Sequence, residues 1–497
     1  MASISYPIEI NPAELHGAER PDAATPIIGR LRAQRLVDLY AMQIAPALAA
    51  TLVGLSHLPD PPVAIALGVL ALAANLLFAR VRFPFQLMPV ARFCIRIAAP
   101  VIAALLVVPM AAYGGHPIAL YDLIPSIVAA TLMTSLGAWF KVRFDASAEV
   151  RIGVIGCPSD AESVATEISA AGVGGYRVVG AIVPHGGCPK TARGKSIIGE
   201  LSSLRPAVKQ HSLDLLVSVA GGEATATSGA AVNRAELFEH ASEACLGLPV
   251  RMLQLSQFCE DVLGHVPVGS IDSGWFQYLM HPRFRGDVNP GKRMFDLVLS
   301  GVVGILALPV LGVLAIAIKL SDGGPVLYRQ PRVGAAGRKF QIVKLRTMTV
   351  DAERDGVEEW SHAGDSRVTR VGRVLRASHL DELPQLWNVI KGEMTLVGPR
   401  PERPGKVAEL ECRFRYYERR HLAKPGITGW AQVRCGYSGS ELGTAWKLCH
   451  DLYYLKHRSL LGDVLLIIET LRTVGDGAQN GTEAPDRRFI LGEVQAG

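Results

Sequence analysis

Residues 378–403 read SHLDELPQLWNVIKGEMTLVGPRPER. Two carboxylates, Asp381 and Glu382, stand side by side. Pro384 follows, where the first turn of a helix tolerates proline because its missing N–H would be unpaired anyway. Apolar residues then recur at helical spacing, at Leu383, Leu386, Trp387 and Ile390. This pattern predicts a short helix with both carboxylates at its N-terminus, where free N–H groups and the helix dipole favour an anion.

An arginine between two prolines follows this helix, in Gly398-Pro399-Arg400-Pro401-Glu402. The prolines restrict the backbone around Arg400, and a planar guanidinium fork matches the oxygens of a phosphate. A pair of acidic residues followed by a loop arginine is common in proteins that bind nothing there. On their own, these residues indicate only anionic phosphate chemistry.

Three motifs together are more specific. LDELPQL at 380–386, GPRPE at 398–402 and KLRTM at 344–348 resemble the bacterial sugar transferase family. These are the polyprenyl-phosphate hexose-1-phosphate transferases, which begin glycan assembly on a lipid carrier. The resemblance covers about 292–474.

The resemblance implies a reaction and a set of partners. A hexose-1-phosphate would pass from a UDP-sugar, UDP-glucose or UDP-galactose, to undecaprenyl phosphate, with UMP released. Asp381 would be the nucleophile and would form an aspartyl phosphosugar, the covalent route that divides one displacement into two. Asp381 and Glu382 would hold Mg²⁺, since negative charge on the phosphoryl group requires neutralisation and Mg²⁺ prefers oxygen ligands. Glu382 could instead handle a proton.

Five residues are expected to contact the substrate. Lys344 and Arg346 alternate with apolar neighbours, so a strand would point both to one face, and the resemblance places the lysine in the active site. Arg376 lies five residues before Asp381 and suits a phosphate. Arg400 and Glu402 come from the GPRPE motif.

The composition indicates a membrane-associated protein of two or three domains. The chain has 497 residues, of which 49% are hydrophobic, and a net charge of +6. Basic residues gather beside apolar runs, which suits membrane surfaces and phosphorylated substrates and predicts no nucleic-acid partner. Eight cysteines show neither CxxC pairs nor Cys/His zinc spacing and are expected to be reduced thiols. The polar first 37 residues do not resemble a secretory signal.

Four apolar runs, at about 38–58, 62–80, 95–113 and 120–140, each have roughly the length that a membrane-spanning helix needs. Lysines and arginines flank the first run, the loop between the second and third, and the end of the fourth, whereas the other two loops carry none. The positive-inside rule therefore places both ends of this bundle in the cytoplasm, with the catalytic stretch on the cytoplasmic face of a bacterial inner membrane.

Residues 150–285 alternate predicted strands and helices and indicate a Rossmann-like parallel sheet. Strands are predicted at 151–156, 176–183, 213–220 and 248–255, with a helix at 160–171. The turn after the first strand has Gly153 and Gly156 but lacks the full dinucleotide fingerprint. Both a bound dinucleotide and a scaffolding or regulatory domain without one stay open.

A fifth apolar run, 297–318, is long enough to cross a bilayer, but two features favour a re-entrant helix. Pro309 lies in its middle and is expected to break it, and cations stand at both ends. Leu308 occupies the place where the family commonly has serine. The predicted re-entrant helix covers 293–320.

The predicted domains are a cytoplasmic tail (1–36), a four-span transmembrane bundle (37–145), a Rossmann-like, CoA-binding-like domain (146–285), a sugar transferase catalytic domain (290–475) and a second tail (476–497). Interfacial helices are expected in the catalytic domain, including a surface-lying helix over 451–474. The fold class is thus a membrane protein of α plus α/β type. Self-association into a homo-oligomer stays open.

Two other functions compete with the transferase. A membrane nucleotide-sugar dehydratase would combine spans with a Rossmann domain, but it needs Tyr-x-x-x-Lys and a complete glycine fingerprint, and the sequence has neither. A non-catalytic assembly protein or sensor for polysaccharide synthesis would not need intact LDELPQ and GPRPE motifs.

Overall fold

We describe the protein from a computed structural model. The described residues are 44–58, 60–79, 89–115, 118–145, 149–171, 173–183, 196–219, 234–271, 274–276, 290–350, 352, 365–435 and 441–475. The two predicted tails, 1–36 and 476–497, lie outside these residues.

Four apolar helices open the described chain: α1 (Ala45–His57), α2 (Pro61–Ala79), α3 (Pro89–Tyr113) and α4 (Ile124–Asp145). Helix α1 packs on α2 and α4, and α3 packs on the same two helices. Their shared core is rich in alanine, which lets helices approach closely, and includes Ala50, Ala64, Ala103 and Ala130. Large side chains such as Leu52 and Leu132 are exposed. The four helices predicted from the apolar runs are therefore present, with an alanine-rich core and many large apolar residues on the outside.

A five-stranded parallel sheet follows, with the spatial order β3-β2-β1-β4-β5. Its strands are β1 (Val150–Ile155), β2 (Tyr176–Val183), β3 (Ile197–Glu200), β4 (Leu215–Ser218) and β5 (Arg251–Gln254). The helices of this unit are α5 (Pro158–Ala170), α6 (Leu204–Gln210), α7 (Arg234–Ala244) and α8 (Leu255–Phe258), the last continuing into a π-helical turn, Cys259–Leu263. This arrangement confirms the predicted parallel sheet, to which the structure adds β3.

The turn after β1 is already occupied by an acidic side chain. Asp160 accepts a hydrogen bond from the backbone N–H of Cys157 at 2.8 Å and so caps the start of α5. In a dinucleotide-binding domain the pyrophosphate would take this position. A carboxylate there favours the scaffolding interpretation over the nucleotide-binding one.

Helix α9 (Pro290–Asp322) is the longest helix among the described residues and contains Pro309. The helix continues through Pro309, so the interruption that the sequence predicts there is absent, and the re-entrant placement stays a prediction. By length and composition, two helical stretches among the described residues could cross a bilayer, Leu120–Gly137 and Pro290–Asp322. Only 6% of the apolar stretch of α9 is buried within the protein, so most of its side chains are exposed.

The C-terminal part begins with an antiparallel hairpin, β6 (Leu327–Val333) and β7 (Lys339–Leu345), and contains a two-stranded parallel ladder, β8 (Thr395–Val397) and β9 (Gly426–Thr428). Its helices are α10 (Arg370–Ser378), α11 (Gln385–Lys391), α12 (Pro404–Arg413), α13 (Trp430–Arg434), α14 (Glu441–His457) and α15 (Leu460–Gly475). Trp430, Phe414 and Tyr417 are among its fully buried side chains.

The prediction of one surface-lying helix over 451–474 is wrong. The chain forms two helices there, and most of α14 is buried, including Leu452, Tyr453 and Leu455. A basic Lys-His-Arg sequence at 456–458 marks the junction between the helices rather than a polar helix face. The apolar pattern identified helical structure but not the break that separates α14 from α15.

Residues after the sheet pack into the C-terminal core. Val266, Val268 and Ile271 belong to the same apolar cluster as Trp446 and Leu448 of α14. The predicted domain boundary near 285 stays a prediction, but the segment 266–271 is part of the C-terminal core.

Candidate functional site

The two carboxylates lie in a tight turn between α10 and α11. His379 ends α10 with a left-handed backbone (φ +56°), and Leu380–Glu382 then form a 3₁₀ turn that leads to Pro384, the N-cap residue of α11. Gly392 ends α11 with φ +86°, a left-handed backbone that favours glycine. The carboxylates therefore precede the helix proper, in a turn that points them toward β7.

Glu382 is the centre of an ion-pair network. Its Oε1 atom lies 2.9 Å from Lys344 Nζ and 2.8 Å from Arg400 Nη2. The Glu382 side chain is 12% exposed. Burial by itself would raise the pKa of Glu382, but Arg400 and Lys344 outweigh that effect and hold the pKa well below its usual range. Glu382 is thus ionised at neutral pH and neutralised by two cations.

Asp381 has different surroundings from its neighbour. It is 8% exposed, and its carboxylate makes no hydrogen bond to any residue that the structure describes. Burial raises the pKa of Asp381, and the adjacent negative charge of Glu382 raises it further, while Lys344, His379 and Arg376 act in the opposite direction. Asp381 therefore has carboxylate oxygens without a committed partner, as a nucleophile or a metal ligand requires.

Asn388 holds α11 against strand β7, which carries Lys344. Its Oδ1 atom accepts the N–H of Val343 at 3.1 Å, and its Nδ2 donates to the carbonyl of Gln341 at 2.7 Å and to Glu393 Oε2 at 2.7 Å. The side chain is fully buried. Asn388 thereby fixes the distance between the lysine and the carboxylate pair.

Helix α9 reaches the same region from the other side. Arg293 donates to the carbonyls of Val389 and Ile390, both at 2.7 Å, and so binds the C-terminal end of α11. The sequence analysis missed both Asn388 and Arg293. Their contacts join residues far apart in the sequence, and no motif marks either position.

The loop that carries Arg400 is fixed by backbone contacts. Gly398 donates to the carbonyl of Thr428 at 2.8 Å, and Gly426 donates to the carbonyl of Pro399 at 2.9 Å. A Cβ on Gly398 would collide with the backbone of Lys424 and Gly426, so glycine is required for this close approach. The loop motif GPRPE therefore depends on the segment KPGIT at 424–428.

A buried arginine supports the same loop from below. Arg420 donates to the carbonyl of Arg400 at 2.9 Å and forms an ion pair with Asp451 at 2.7 Å. Both side chains are almost completely buried. Burial raises the pKa of Asp451, and Arg420 counteracts this shift. The backbone of Arg400 is thus held by a hydrogen bond from a buried ion pair.

The structure gives the other predicted residues different polar partners. Arg376 donates from Nε to Thr347 Oγ1 at 2.9 Å and contributes positive charge at Asp381. Glu402 lies 3.8 Å from Arg332. Arg346 pairs with Asp322 at the end of α9 instead of facing Glu382. The structure thus brings Asp381, Glu382, Lys344 and Arg400 together, whereas substrate contact by Arg346 and Glu402 stays a prediction.

The strand prediction for Lys344 and Arg346 fails at one point, the end of β7. The strand ends at Leu345, so Arg346 leaves the regular alternation and turns toward α9. The two cations would share a face only if the strand continued through Arg346, and it does not.

Comparison of the sequence with known proteins identifies a family that shares these site residues' part of the chain. Residues 288–477 match the family described as bacterial sugar transferase. A UDP-glucose:undecaprenyl-phosphate glucose-1-phosphate transferase from Caulobacter vibrioides is 39% identical over 225 residues, which are 44% of this chain and 84% of that protein. A UDP-N-acetylgalactosamine-undecaprenyl-phosphate N-acetylgalactosaminephosphotransferase from Aeromonas hydrophila is 37% identical over 233 residues, 47% of this chain and 54% of that protein.

An undecaprenyl-phosphate glucose phosphotransferase from Komagataeibacter xylinus is 34% identical over 339 residues, 65% of this chain and 58% of that protein. The part of this chain from residue 288 onward is too short to supply that alignment, so the similarity extends into the α/β domain. The matches cover just over half of the Aeromonas and Komagataeibacter proteins and most of the Caulobacter protein. The chain therefore belongs to the bacterial sugar transferase family.

Proposed function

We propose that this protein transfers a hexose-1-phosphate from a UDP-sugar, UDP-glucose or UDP-galactose, to undecaprenyl phosphate and releases UMP. The product would start a repeat unit of an exopolysaccharide, capsule or O-antigen. The observation that carries the proposal is the buried pair Asp381-Glu382, in which Glu382 is neutralised by Lys344 and Arg400 while Asp381 keeps its oxygens free.

The first step uses Asp381 as the nucleophile. An Asp381 oxygen attacks the phosphorus that carries the sugar, a new oxygen–phosphorus bond forms, and the bond to the UMP oxygen breaks. Lys344 and Arg400 supply positive charge beside the reacting phosphate, where it offsets the repulsion between the carboxylate and the phosphate oxygens. Glu382 positions both cations, since its Oε1 accepts from each of them.

In the second step the phosphate of the lipid attacks the aspartyl phosphosugar. This attack breaks the bond between Asp381 and phosphorus and restores the carboxylate, so the enzyme emerges unchanged. Arg376, whose charge acts on Asp381, is placed to attract the incoming phosphate.

The site suits Mg²⁺ by its donor set. Asp381 and Glu382 offer oxygen atoms, the ligands that Mg²⁺ prefers, and Asp381 has no competing hydrogen bond within the described chain. The adjacent negative charge of Glu382 also raises the pKa of Asp381, and a bound cation would offset that repulsion. Bound there, Mg²⁺ would neutralise charge on the diphosphate of the UDP-sugar.

We propose further that helices α1 to α4 span the inner membrane and that α9 enters and leaves on the cytoplasmic face. Exposed apolar side chains along α9 support membrane insertion; Ile305, Leu306 and Val313 are 69%, 70% and 68% exposed. Such surface is unfavourable in water and favourable in lipid. Arg293 at the start of α9 contacts α11, which ties the membrane helix to the catalytic turn.

An activity assay tests the proposed function. Purified protein in nanodiscs is incubated with Mg²⁺, undecaprenyl phosphate and, in turn, UDP-glucose, UDP-galactose and UDP-N-acetylgalactosamine. One or more of these sugars should give a lipid-linked product together with UMP. A 4-keto sugar without lipid product would indicate a dehydratase, and binding without turnover of any sugar would indicate a non-catalytic assembly protein or sensor.

A further inference from the structure

A second group of chemically active side chains lies away from the carboxylate pair. Glu167 of α5, Cys259 of the π-helical turn and His265 direct their ligand atoms toward one another, and all three atoms lie within 4.8 Å of each other. His265 Nε2 is 3.6 Å from Glu167 Oε1, and Cys259 Sγ is 3.9 Å from Glu167 Oε2. Cys259 and His265 lie close together in the sequence, but Glu167 is 92 residues before Cys259, so no zinc spacing was recognised.

The cluster is buried, and two of its polar atoms lack hydrogen-bond partners in the described chain. Glu167 and His265 are each 3% exposed and Cys259 is fully buried. Glu167 Oε1 and His265 Nε2 have no hydrogen-bond partner in the described chain. Burying a polar group without a partner costs about 1–3 kcal/mol. The two atoms lie 3.6 Å apart, just beyond hydrogen-bond distance, and a cation between them would satisfy both.

We propose that Glu167, Cys259 and His265 bind a single divalent cation of the zinc type. Oxygen, sulfur and imidazole nitrogen are the donors that zinc takes in proteins, at about 2.0–2.3 Å, and tetrahedral geometry then places donor atoms roughly 3.3–3.8 Å apart. The observed separations of 3.6 and 3.9 Å are close to that range.

Charge balance also favours this occupant. Cys259 would bind as the thiolate, Glu167 as the carboxylate and His265 as the neutral ring, with the thiol giving up its proton on binding. Two negative ligands and a divalent cation sum to zero, so the buried site carries no net charge and avoids the cost of an isolated buried ion. Three protein ligands leave one coordination position for a water molecule.

The site would connect the sheet domain to the catalytic core. Glu167 belongs to α5 of the sheet domain, whereas the segment around His265 packs on the C-terminal part. Trp430 donates from Nε1 to the carbonyl of Gly264 at 2.7 Å, and Val266 donates to the carbonyl of Cys449 at 3.2 Å. A cation held by both sides would therefore lock the two units in one arrangement.

Metal analysis of the full-length protein, purified in detergent without chelators, tests this site. We expect about one zinc per chain, a lower unfolding temperature after chelation and recovery when Zn²⁺ alone is added. Cys259→Ser and His265→Gln should lose the metal. Cys245→Ser, which changes another buried thiol of the same domain outside the cluster, should retain it.

Cobalt substitution provides a readout that does not depend on the variants folding. Wild-type protein loaded with Co²⁺ should show a sulfur-to-cobalt charge-transfer band in the near ultraviolet from the Cys259 thiolate. Absence of this band, absence of zinc even after Zn²⁺ is added, or full retention of zinc by folded Cys259→Ser would each overturn the proposal. None of these readouts depends on transferase activity, so this site and the proposed reaction are tested separately.

Discussion

Lys344 Nζ lies 2.9 Å from Glu382 Oε1, so the one lysine of the KLRTM motif reaches the second residue of the carboxylate pair and not the first. Burial lowers the pKa of Lys344, and its partner Glu382 counteracts this shift. The lysine neutralises Glu382 directly and acts on Asp381 only through space. Asp381 therefore remains available for chemistry while its neighbour is committed to positioning cations.

This relationship predicts a pH effect. Asp381 must be ionised to attack, burial and Glu382 raise its pKa, and Lys344 lowers it. Lys344→Gln removes the lowering effect, so the pKa of Asp381 rises further and activity is lost at a higher pH as the solution is acidified. The acid limb of kcat/KM against pH should thus move to higher pH than in the wild type.

Lys339→Gln is the matched control for this measurement, because Lys339 lies on the same strand but is exposed. Its pH profile should coincide with that of the wild type. An unchanged or more acidic limb in Lys344→Gln would show that the lysine does not govern the ionisation of Asp381.

Arg400→Lys tests the role of the guanidinium. Lysine keeps the charge but cannot bind Glu382 and a phosphate through a planar fork, so kcat/KM should fall about 10–100-fold, the value of one or two hydrogen bonds between charged groups. Arg413→Lys, at an exposed arginine that pairs with Glu409, should change kcat/KM little. Equal activity of both variants in a UMP-release assay would show that the Arg400 guanidinium does not contribute to the reaction.

Asn388→Ala should destabilise the catalytic part and slow transfer. The change leaves the N–H of Val343 without its acceptor and the Gln341 carbonyl without its donor, at a cost of about 1–3 kcal/mol. Gln341→Ala keeps the backbone carbonyl and removes only an exposed side chain. Its free energy of unfolding should therefore lie within about 0.5 kcal/mol of the wild-type value. Thermal unfolding of both variants in detergent measures the difference, and equal stability would contradict the role assigned to Asn388.

Cysteine labelling tests the membrane placement. New cysteines at Pro290 and Ser321, at the two ends of α9, should both resist a membrane-impermeant maleimide applied to intact cells. A cysteine at His57, at the exposed end of α1, should react, since the predicted topology places that loop outside. Labelled peptides are identified by mass spectrometry, so the native thiols stay in place. Labelling at either end of α9 from outside would refute the re-entrant model.

The sequence predicted much of the fold because its elements have strong local patterns. Apolar runs identified the four N-terminal helices, and alternation identified most strands of the parallel sheet. Strand β3, IIGE, was missed because it lies among polar residues and belongs to no longer apolar run, unlike the equally short β4 and β5. The break between α14 and α15 was missed since apolar residues continue on both sides of it.

Only the site residues that belong to the recognised motifs could be predicted from the sequence. The motifs carry Asp381, Glu382, Lys344 and Arg400, which the fold brings together. Asn388, Arg293 and Arg420 support them through contacts between residues distant in sequence, and one chain without a structure gives no sign of such contacts. Arg346 was placed with Lys344 by strand alternation, and the end of β7 directs it to Asp322 instead.

The most direct test of the central claim is a search for the covalent intermediate. Full-length protein is incubated with Mg²⁺ and the preferred UDP-sugar in the absence of lipid phosphate, then digested and analysed by mass spectrometry. The account predicts UMP release of at most about one equivalent and a hexose phosphate on the peptide that contains Asp381, with neither in Asp381→Asn. Near-normal turnover by Asp381→Asn, or UMP that forms only when lipid phosphate is present and without any adduct, would contradict it.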